Sequence, residues 1–543
     1  MKAFLLFPDR ESDWIWVGKA AALGEARRTG RMAHGLDNFD PSRAYPWNAA
    51  ALRHDLALDT LIDAAAGEAD DVRAAFTREL LNAPDNDAET IRHRQAILAD
   101  ALKTPKALRE LHAIAEAAVA EQHRHFLGTM MRDYPDAVLR WAIEMLEAML
   151  GPLRRLQRLS VREIDRVEAP GWRRFHAMIR DELNDAYLAS IEQRLRELKM
   201  RDGVLMSAAL GSGNRAVDFR LHQPPVDEES WWHRWLRQWL PWLFGRRERE
   251  QYSFSLAPSD EAGQRALRGV SNRGVAIAAQ ALGEAALHIR DFFAMLRAET
   301  AFYVGAVALH EALVAKDVTT SFPEIVDDLN AFAAEGLCEP ALALAIGSKA
   351  VPNDVDADGR DLIVITGANQ GGKSTLLRAI GAAQMMAGAG LFVATQSLRL
   401  SLAPAVMTHF KREEDAAMKS GKFDEELARM SAIVDHMAPN ALVLLNESFA
   451  STSEREASEI ADEVIESMRA GGARIVFVTH LFEYAHRAAG RDDARALFLR
   501  AERAEDGSRP FRLTPGVPRA TSFGEDLYAS VFGAPAKRQE AAE

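Results

Sequence analysis

Apolar and polar residues follow a helical period over much of the first part of this 543-residue chain. Leucines such as Leu52, Leu56 and Leu61 recur mostly at three- and four-residue steps, the spacing of one face of an amphipathic helix. Few glycines or prolines interrupt the pattern through about residue 200. It therefore predicts a set of helices over 51–200.

A second helical stretch follows an interruption. Short alternating runs in 201–260 predict strands and turns. Helical periodicity then resumes with an apolar residue at every seventh position, which predicts packing against a neighbouring long helix; these residues are Leu282, Ile289, Leu296 and Tyr303. We expect this helix to break at Phe322-Pro323, because the residue before a proline is pushed out of the helical region.

Short apolar runs alternate with helical ones from about residue 340, a pattern typical of an α/β domain. The two helical halves flank the insert, so they are expected to pack together and carry it at their far end. The predicted divisions are an unassigned segment 1–50, a first helical half 51–200, an insert 201–265, a returning helical half 266–335, an α/β domain 336–530 and a disordered tail 531–543.

The α/β part contains the stretch GANQGGKST, which fits the pattern G-x-x-x-x-G-K-[ST]. Glycines let backbone N–H groups close around phosphate oxygens, while the lysine adds charge and the serine can ligate magnesium. The apolar run DLIVIT before it predicts a strand and STLLRAIGAAQMM after it predicts a helix, the context that a phosphate site requires. The predicted ATP-binding residues are Gly367, Ala368, Asn369, Gln370, Gly371, Gly372, Lys373, Ser374 and Thr375.

Two further apolar runs carry polar groups at their ends. The run ALVLLNES (441–448) is expected to be the strand next to the loop's strand, and Glu447 is placed to activate water. Such sites usually carry an aspartate where this chain has Asn446; the amide either weakens magnesium binding and slows hydrolysis, or hydrogen-bonds to Ser374 at little cost. The expected magnesium ligands are Ser374, Asn446 and Glu447. The run RIVFVTH ends in His480, which could sense the γ-phosphate or be an ordinary strand-end histidine.

Composition narrows the function classes. The formal charge of −13 and a pI near 5.7 exclude a basic coat for non-specific nucleic-acid binding, but leave room for a local basic patch. Cys338 is the single cysteine, which excludes an internal disulfide and a multi-cysteine zinc site and predicts a core residue. The N-terminal apolar run is too short for a signal peptide, and we count no apolar run of about 18 residues; a cytoplasmic protein without a transmembrane segment is expected.

Several motifs resemble those of the MutS family of DNA mismatch-repair ATPases. The resemblance is specific over the α/β part, in the stretches VPNDV, ITGANQGGKSTLLRAIG, GLFVATQS, LVLLNESFASTS, VFVTHLFE and FRLTPGVPRATSFG. Phe423 and Glu426 match the Phe and Glu of the family's STFxxE segment. A weaker resemblance at 80–98 covers the start of the family's helical lever core.

The resemblance implies a multidomain fold: a long-helix lever and clamp core with a small strand-containing insert, followed by an α/β P-loop ATPase domain of the ABC type. Asn369 would contact the γ-phosphate side, and Pro352 and Asn353 would lie near the adenine. ATP and Mg²⁺ are the implied cofactors. The implied partners are double-stranded or structured DNA and a second copy bound through the ATPase domain.

Departures from the family pattern qualify that function. The first 120 residues contain no Phe-x-Glu, the mismatch wedge of the family, and the chain starts almost at the lever, so we do not expect mismatch reading by that wedge. Gly421-Lys422 replaces the Ser-Thr before Phe423, which leaves the contact with the opposite ATP open. Ala368 replaces a proline. We expect a DNA-binding ATPase that uses ATP binding and slow hydrolysis to switch a dimeric clamp in DNA repair or recombination.

Five of the ten tryptophans fall between 231 and 242, followed by several arginines. An amphipathic helix packed on the insert's own strands is one interpretation. The others are a DNA-contacting or stacking surface, a membrane-interface helix, or a face for an unknown protein partner. The last two would suit an ATP-dependent switch or scaffold that acts on a protein or membrane partner without DNA. The residues concerned are Trp231, Trp235, Trp239, Arg234, Arg237, Arg246 and Arg247.

Overall fold

The computed structural model describes residues 1–10, 45–124, 134–199, 205–210, 212, 216–222, 261–346, 349–412, 421–504 and 508–519. Two predicted features lie outside these residues, so their predictions stay predictions. They are the tail 531–543 and the tryptophan-rich segment with Trp231, Trp235, Trp239, Arg234, Arg237, Arg246 and Arg247.

Helices dominate the first 314 residues, as the periodicity predicts. They are α1 (Ala49–Asp55), α2 (Leu58–Ala66), α3 (Asp70–Leu81), α4 (Ala88–Lys103), α5 (Pro105–Arg124), α6 (Pro135–Glu163), α7 (Pro170–Glu182), α8 (Asp185–Leu198) and α9 (Glu261–Val314), with a short 3-10 turn at Ala83–Asp85. Between α8 and α9, β1 (Leu205–Leu210) and β2 (Ala216–His222) form an antiparallel pair. The strand-containing insert is thus present between two helical parts.

The long helix α9 packs along α5 and α6, and two members of its seven-residue repeat, Leu296 and Tyr303, are fully buried. The predicted end of this helix is wrong. It ends at Val314, and the chain leaves it through Asp317, whose φ of 57° is left-handed. Proline therefore does not end the helix; a turn does so eight residues earlier.

One helix in the described part is long and apolar enough to cross a membrane, by length and composition alone: the stretch Val275–Val314 of α9. Our count of apolar runs missed it because scattered polar residues break the run. Since 83% of its most apolar window is buried inside the fold, the stretch behaves as a core helix and does not indicate a membrane span.

The first ten residues, which the sequence left unassigned, pack into the helical core. Leu5 is fully buried; its N–H donates to Glu299 Oε2 at 2.7 Å and its carbonyl accepts from Tyr303 Oη at 2.6 Å. Arg94, also fully buried, donates to the carbonyl of Leu6 and pairs with Glu79 at 2.8 Å. Polar side chains from α4 and α9 thus satisfy the backbone of this N-terminal segment, and Glu79 of α3 holds Arg94 in place.

Two sheets follow. A six-stranded sheet has the order β12-β11-β6-β10-β9-β8, in which β12 is antiparallel and the others are parallel. Its strands are β6 (Leu362–Gly367), β8 (Val406–Phe410), β9 (Leu442–Asn446), β10 (Arg474–Val478), β11 (Ala496–Ala501) and β12 (Leu513–Pro515). A four-stranded sheet of order β3-β7-β4-β5 comprises β3 (Glu324–Ile325), β4 (Phe332–Leu337), β5 (Asn353–Asp356) and β7 (Ser397–Leu400).

The helices of this α/β part are α10 (Pro340–Ala345), α11 (Lys373–Gly388), α12 (Lys422–Asp435), α13 (Glu454–Ala470) and α14 (Phe482–Ala489). Alternate residues of β6 enter different cores. Ile363 and Ile365 belong to the core that contains α11 and the N-terminal helices, while Leu362 and Val364 belong to the core of α13 and α14. Burial on both faces explains the continuous apolar run of this strand.

The sequence prediction of strand neighbours is wrong in one respect. β9, which ends at Asn446, does not lie next to β6, because β10 lies between them. Cys338 is buried as predicted, and burial raises the pKa of its thiol to about 11.

The helix α11 joins the two parts. It begins at the glycine-rich loop, and beyond its end the carbonyl of Ala389 accepts from Arg94 Nη1 at 3.3 Å. A Cβ added to Gly388 would lie 2.9 Å from the carbonyl oxygen of Ala83. The end of α11 therefore contacts the helical part too closely for a larger residue at 388.

Candidate functional site

The glycine-rich loop connects the end of β6 to the start of α11. Gly367, Gln370 and Gly372 have φ values of 115°, 58° and 88°, a region that glycine enters without strain. A Cβ at Gly367 would lie 2.9 Å from the backbone nitrogen of Ala501 on β11. The loop therefore requires glycine at 367 both for its backbone angle and for space.

The side chain of Lys373 lies inside this loop and hydrogen-bonds to its backbone. Its side chain is 5% exposed, and Nζ donates to the carbonyls of Gly367 and Ala368, at 3.0 Å each. Burial lowers the pKa of its ammonium to about 8, against the opposing charge of Glu447. Asn369 and Gln370 are exposed at the rim, while Ser374 and Thr375 are half-buried in the first turn of α11.

Ser374 Oγ donates to Asn446 Oδ1 at 2.9 Å. This hydrogen bond is the second of the two arrangements left open for Asn446. It joins the first turn of α11, which follows β6, to the end of β9, although β6 and β9 are not neighbouring strands. No cluster of three His, Cys, Asp or Glu side chains stands ready to hold a metal within the described ranges. A cation here would rest on Ser374, Asn446 and one carboxylate.

That carboxylate is Glu447, directly after β9. Its φ is 53°, and Oε1 hydrogen-bonds to His480 Nε2 at 3.1 Å, while Lys411 Nζ lies 3.9 Å from Oε2. The pKa of Glu447 lies below its usual range because of the His480 hydrogen bond first, then the positive charges of Lys411 and Lys373, with burial opposing them. Glu447 is therefore ionised at neutral pH, and the two predicted catalytic residues lie together.

Behind Glu447 lies a buried polar cluster that links the loop after β9 to α12. Glu426 is 3% exposed, and its Oε1 accepts from the N–H of Phe449 at 2.6 Å. His409 on β8 pairs with Ser448 Oγ at 2.7 Å and with the carbonyl of Glu426 at 3.1 Å. Burial lowers the pKa of His409 to about 4, so the cluster is held by a neutral imidazole.

The segment after β11 borders the other side of the loop. Asn353 donates to the carbonyl of Phe511 at 3.1 Å and accepts from the N–H of Leu513 at 2.8 Å. A Cβ at Gly372 would lie 3.4 Å from that Phe511 carbonyl oxygen. Phe511 is 47% exposed, and Pro352, the residue before Asn353, is exposed as well. Asn353 thus fixes the backbone of an accessible aromatic residue next to the loop.

Three residues around the glycine-rich loop and Glu447 were not predicted from the sequence. Lys411 follows a strand end, the same signal that marked Glu447 and His480, but no motif drew attention to it. Glu426 was matched to a family segment without a role, and its contact with Phe449 is not visible in residue spacing. Phe511 was quoted as part of a resembling stretch only.

Two family models match this chain. The family model of the MutS2 N-terminal domain matches residues 86–316, and that of MutS domain V matches residues 363–537. The chain belongs to the MutS family. The domain V match contains the glycine-rich loop, Lys411, Asn446, Glu447 and His480, whereas Asn353 lies just before it.

Curated relatives include proteins named DNA mismatch repair protein MutS. The one from Synechococcus sp. (strain CC9605) is 37% identical over 158 residues, which are 28% of this chain and 18% of the relative. The one from Myxococcus xanthus (strain DK1622) is 32% identical over 198 residues, 35% of this chain and 22% of the relative. The one from Thermus aquaticus is 33% identical over 187 residues, which are 34% of this chain and 22% of the relative. This MutS-family chain therefore aligns with about a fifth of each relative's length.

Proposed function

We propose that this chain is a MutS-like DNA-binding ATPase, in which ATP binding and slow hydrolysis switch a dimeric clamp on DNA. The observation that carries the proposal is the convergence of Ser374, Asn446, Glu447 and His480, from the ends of two strands and the start of a helix, beside a loop that requires glycine at 367. A glycine-rich loop with an internal lysine fits the phosphates of a nucleotide.

The residues also fit a hard divalent cation, which prefers oxygen ligands. Ser374 Oγ and Asn446 Oδ1, 2.9 Å apart, would hold Mg²⁺ together with Glu447. Bound there, Mg²⁺ would neutralise part of the charge on the transferred phosphoryl group. The neutral amide of Asn446 supports weak retention of the ion.

Glu447 would take the proton of the attacking water, with His480 orienting its carboxylate and facing the γ-phosphate. A carboxylate whose pKa is held below its usual range is a weak base. That weakness and the missing aspartate both support slow turnover. The ring of Phe511 is accessible for stacking on the base, beside Asn353 and Pro352.

The domain roles follow from the family. The helical halves 51–200 and 266–335 would be the lever arms, the insert 201–265 the clamp tip, and 336–530 the ATPase domain that pairs two copies. The relatives are named as mismatch repair proteins, and we extend DNA binding, but not mismatch reading by a Phe-x-Glu wedge, to this chain. The place of action would be the cytoplasm.

A binding panel tests the proposal. Homoduplex, mismatched, branched and single-stranded DNA are compared at several salt concentrations, with and without ATP, for the wild type and Glu447→Ala. We expect salt-dependent retention that ATP changes, and a longer-lived ATP state in the variant. ATP binding without any DNA retention would instead support the scaffold interpretation with a protein or membrane partner. Absence of ATP binding would refute the ATPase itself.

A further inference from the structure

A lysine outside the recognised motifs lies beside Glu447, the proposed catalytic base. Lys411 directly follows β8, and its N–H donates to the carbonyl of Asn446 at 3.0 Å, which fixes its backbone beside the end of β9. Its Nζ lies 3.9 Å from Glu447 Oε2, too far for a hydrogen bond. With the side chain 44% exposed, the ammonium keeps its donors available for a ligand.

The charges around Glu447 are unusual for a site that binds magnesium and a nucleotide. Asn446 contributes no charge, so Glu447 is the carboxylate of the predicted magnesium set. The positive charges of both Lys411 and Lys373 act on it. One carboxylate facing two ammonium groups favours a polyanion over a divalent cation, because each added positive charge attracts phosphate oxygens and repels the metal.

We propose that Lys411 is a second lysine of the nucleotide site, which contacts the terminal phosphate of ATP and allows the chain to bind ATP without a divalent cation. This inference rests on the proposed ATPase function. Binding and hydrolysis then have different requirements: the two lysines hold ATP, whereas hydrolysis waits for Mg²⁺. The chain would remain loaded with ATP when free magnesium is scarce.

The test measures equilibrium ATP binding by competition with a fluorescent ATP analogue, in excess EDTA and in excess Mg²⁺. The proteins are the full-length wild type, Lys411→Met, Lys411→Arg and Arg412→Met. Arg412 is a matched control, since its side chain is also 44% exposed and also lies 3.9 Å from a carboxylate, that of Glu425. Thermal unfolding of each protein shows whether the substitution disturbs the fold.

We expect wild-type affinity in EDTA to stay within about fivefold of its value in Mg²⁺. Lys411→Met should weaken binding in EDTA by about tenfold, as the loss of one solvent-screened charge contact allows, and by less in Mg²⁺. Arg412→Met should bind as the wild type does, and Lys411→Arg, which keeps the charge, should bind more tightly in EDTA than Lys411→Met does.

Equal affinities of Lys411→Met and Arg412→Met in EDTA would overturn the proposal, and so would a wild type that binds ATP only with Mg²⁺. That second outcome would leave the ATPase function intact. A wild type that binds ATP in neither condition would refute the ATPase function as well.

Discussion

Replacing Glu426 by alanine should damage turnover more than nucleotide binding. The carboxylate is buried and accepts the N–H of Phe449, which is itself fully buried. Phe449 and Glu447 both have left-handed φ values, 66° and 53°, with Ser448 between them. Such angles cost non-glycine residues about 1 kcal/mol each or more, so surrounding contacts must hold them. The Glu426 carboxylate is one such contact, behind the proposed catalytic base.

The magnitude follows from the burial of the pair. Alanine would leave the Phe449 N–H buried without its partner, which costs about 1–3 kcal/mol. Glu426 Oε2 is buried and has no hydrogen-bond partner among the described residues. Removing this carboxylate therefore offsets part of the loss in unfolding free energy. We therefore expect the free energy of unfolding to fall by about 1–2 kcal/mol and the turnover rate to fall about tenfold or more, since Glu447 loses its position.

Urea unfolding, equilibrium ATP binding and single-turnover hydrolysis measure the three consequences. Glu426→Gln retains an acceptor oxygen and should turn over nearly as the wild type does. Glu425→Ala, one position earlier, removes a carboxylate that pairs with Arg429 near the surface, and it should change turnover little. Hydrolysis by Glu426→Ala at the wild-type rate would refute the positioning argument. A tenfold loss of ATP affinity would place Glu426 in binding instead.

Three further predictions concern the loop, the metal and the pH dependence. Lys373→Ala should abolish tight ATP binding, because it removes the ammonium inside the loop; unchanged affinity would mean that the loop is not the site. Asn446→Asp should lower the magnesium concentration that half-saturates turnover, and superimposable titrations would contradict the charge argument. Burial holds the pKa of His176 near 4, below the 6.5 of an unfolded chain, so the unfolded state binds the proton first. Stability should therefore fall as the pH drops from about 6.5 to 4, by up to about 1.4 kcal/mol per pKa unit. In urea unfolding, His176→Gln should reduce the dependence of the unfolding free energy on pH. Part of the dependence should remain, because burial also lowers the pKa of His409 to about 4. An unchanged pH dependence would refute the role given to His176.

The sequence predicted the parts of the site that local chemistry decides. The strands β6, β9 and β10 are continuous apolar runs because sheet and helices bury both of their faces. The glycines and the lysine of the loop form a contiguous pattern. Asn446 and Glu447 were found because they end a strand, and strand ends carry polar groups to the edge of a parallel sheet.

What it could not predict depends on contacts between distant residues. Strand order is one case, since pairing β10 rather than β9 with β6 leaves no mark on either run. Leu5 is another: its carbonyl is satisfied by Tyr303, 298 positions away. Local spacing does not encode such long-range partners. A third miss is local and not long-range: the end of α9 was misplaced because the turn at Asp317 needs no glycine or proline there.

The helix that leaves the glycine-rich loop has a mechanical consequence. Its 16 residues form a strut of about 24 Å, and both ends are in contact: one carries Lys373, and the other meets Ala83 and Arg94 with no room for a methyl group at Gly388. Because the helix is rigid and its far end is tightly packed, a movement at one end is transmitted to the other. Any shift of the loop on closing around a ligand would therefore reach the N-terminal helices as a displacement of similar size. Arg94, tied to the first residues of the chain, is where that displacement would arrive.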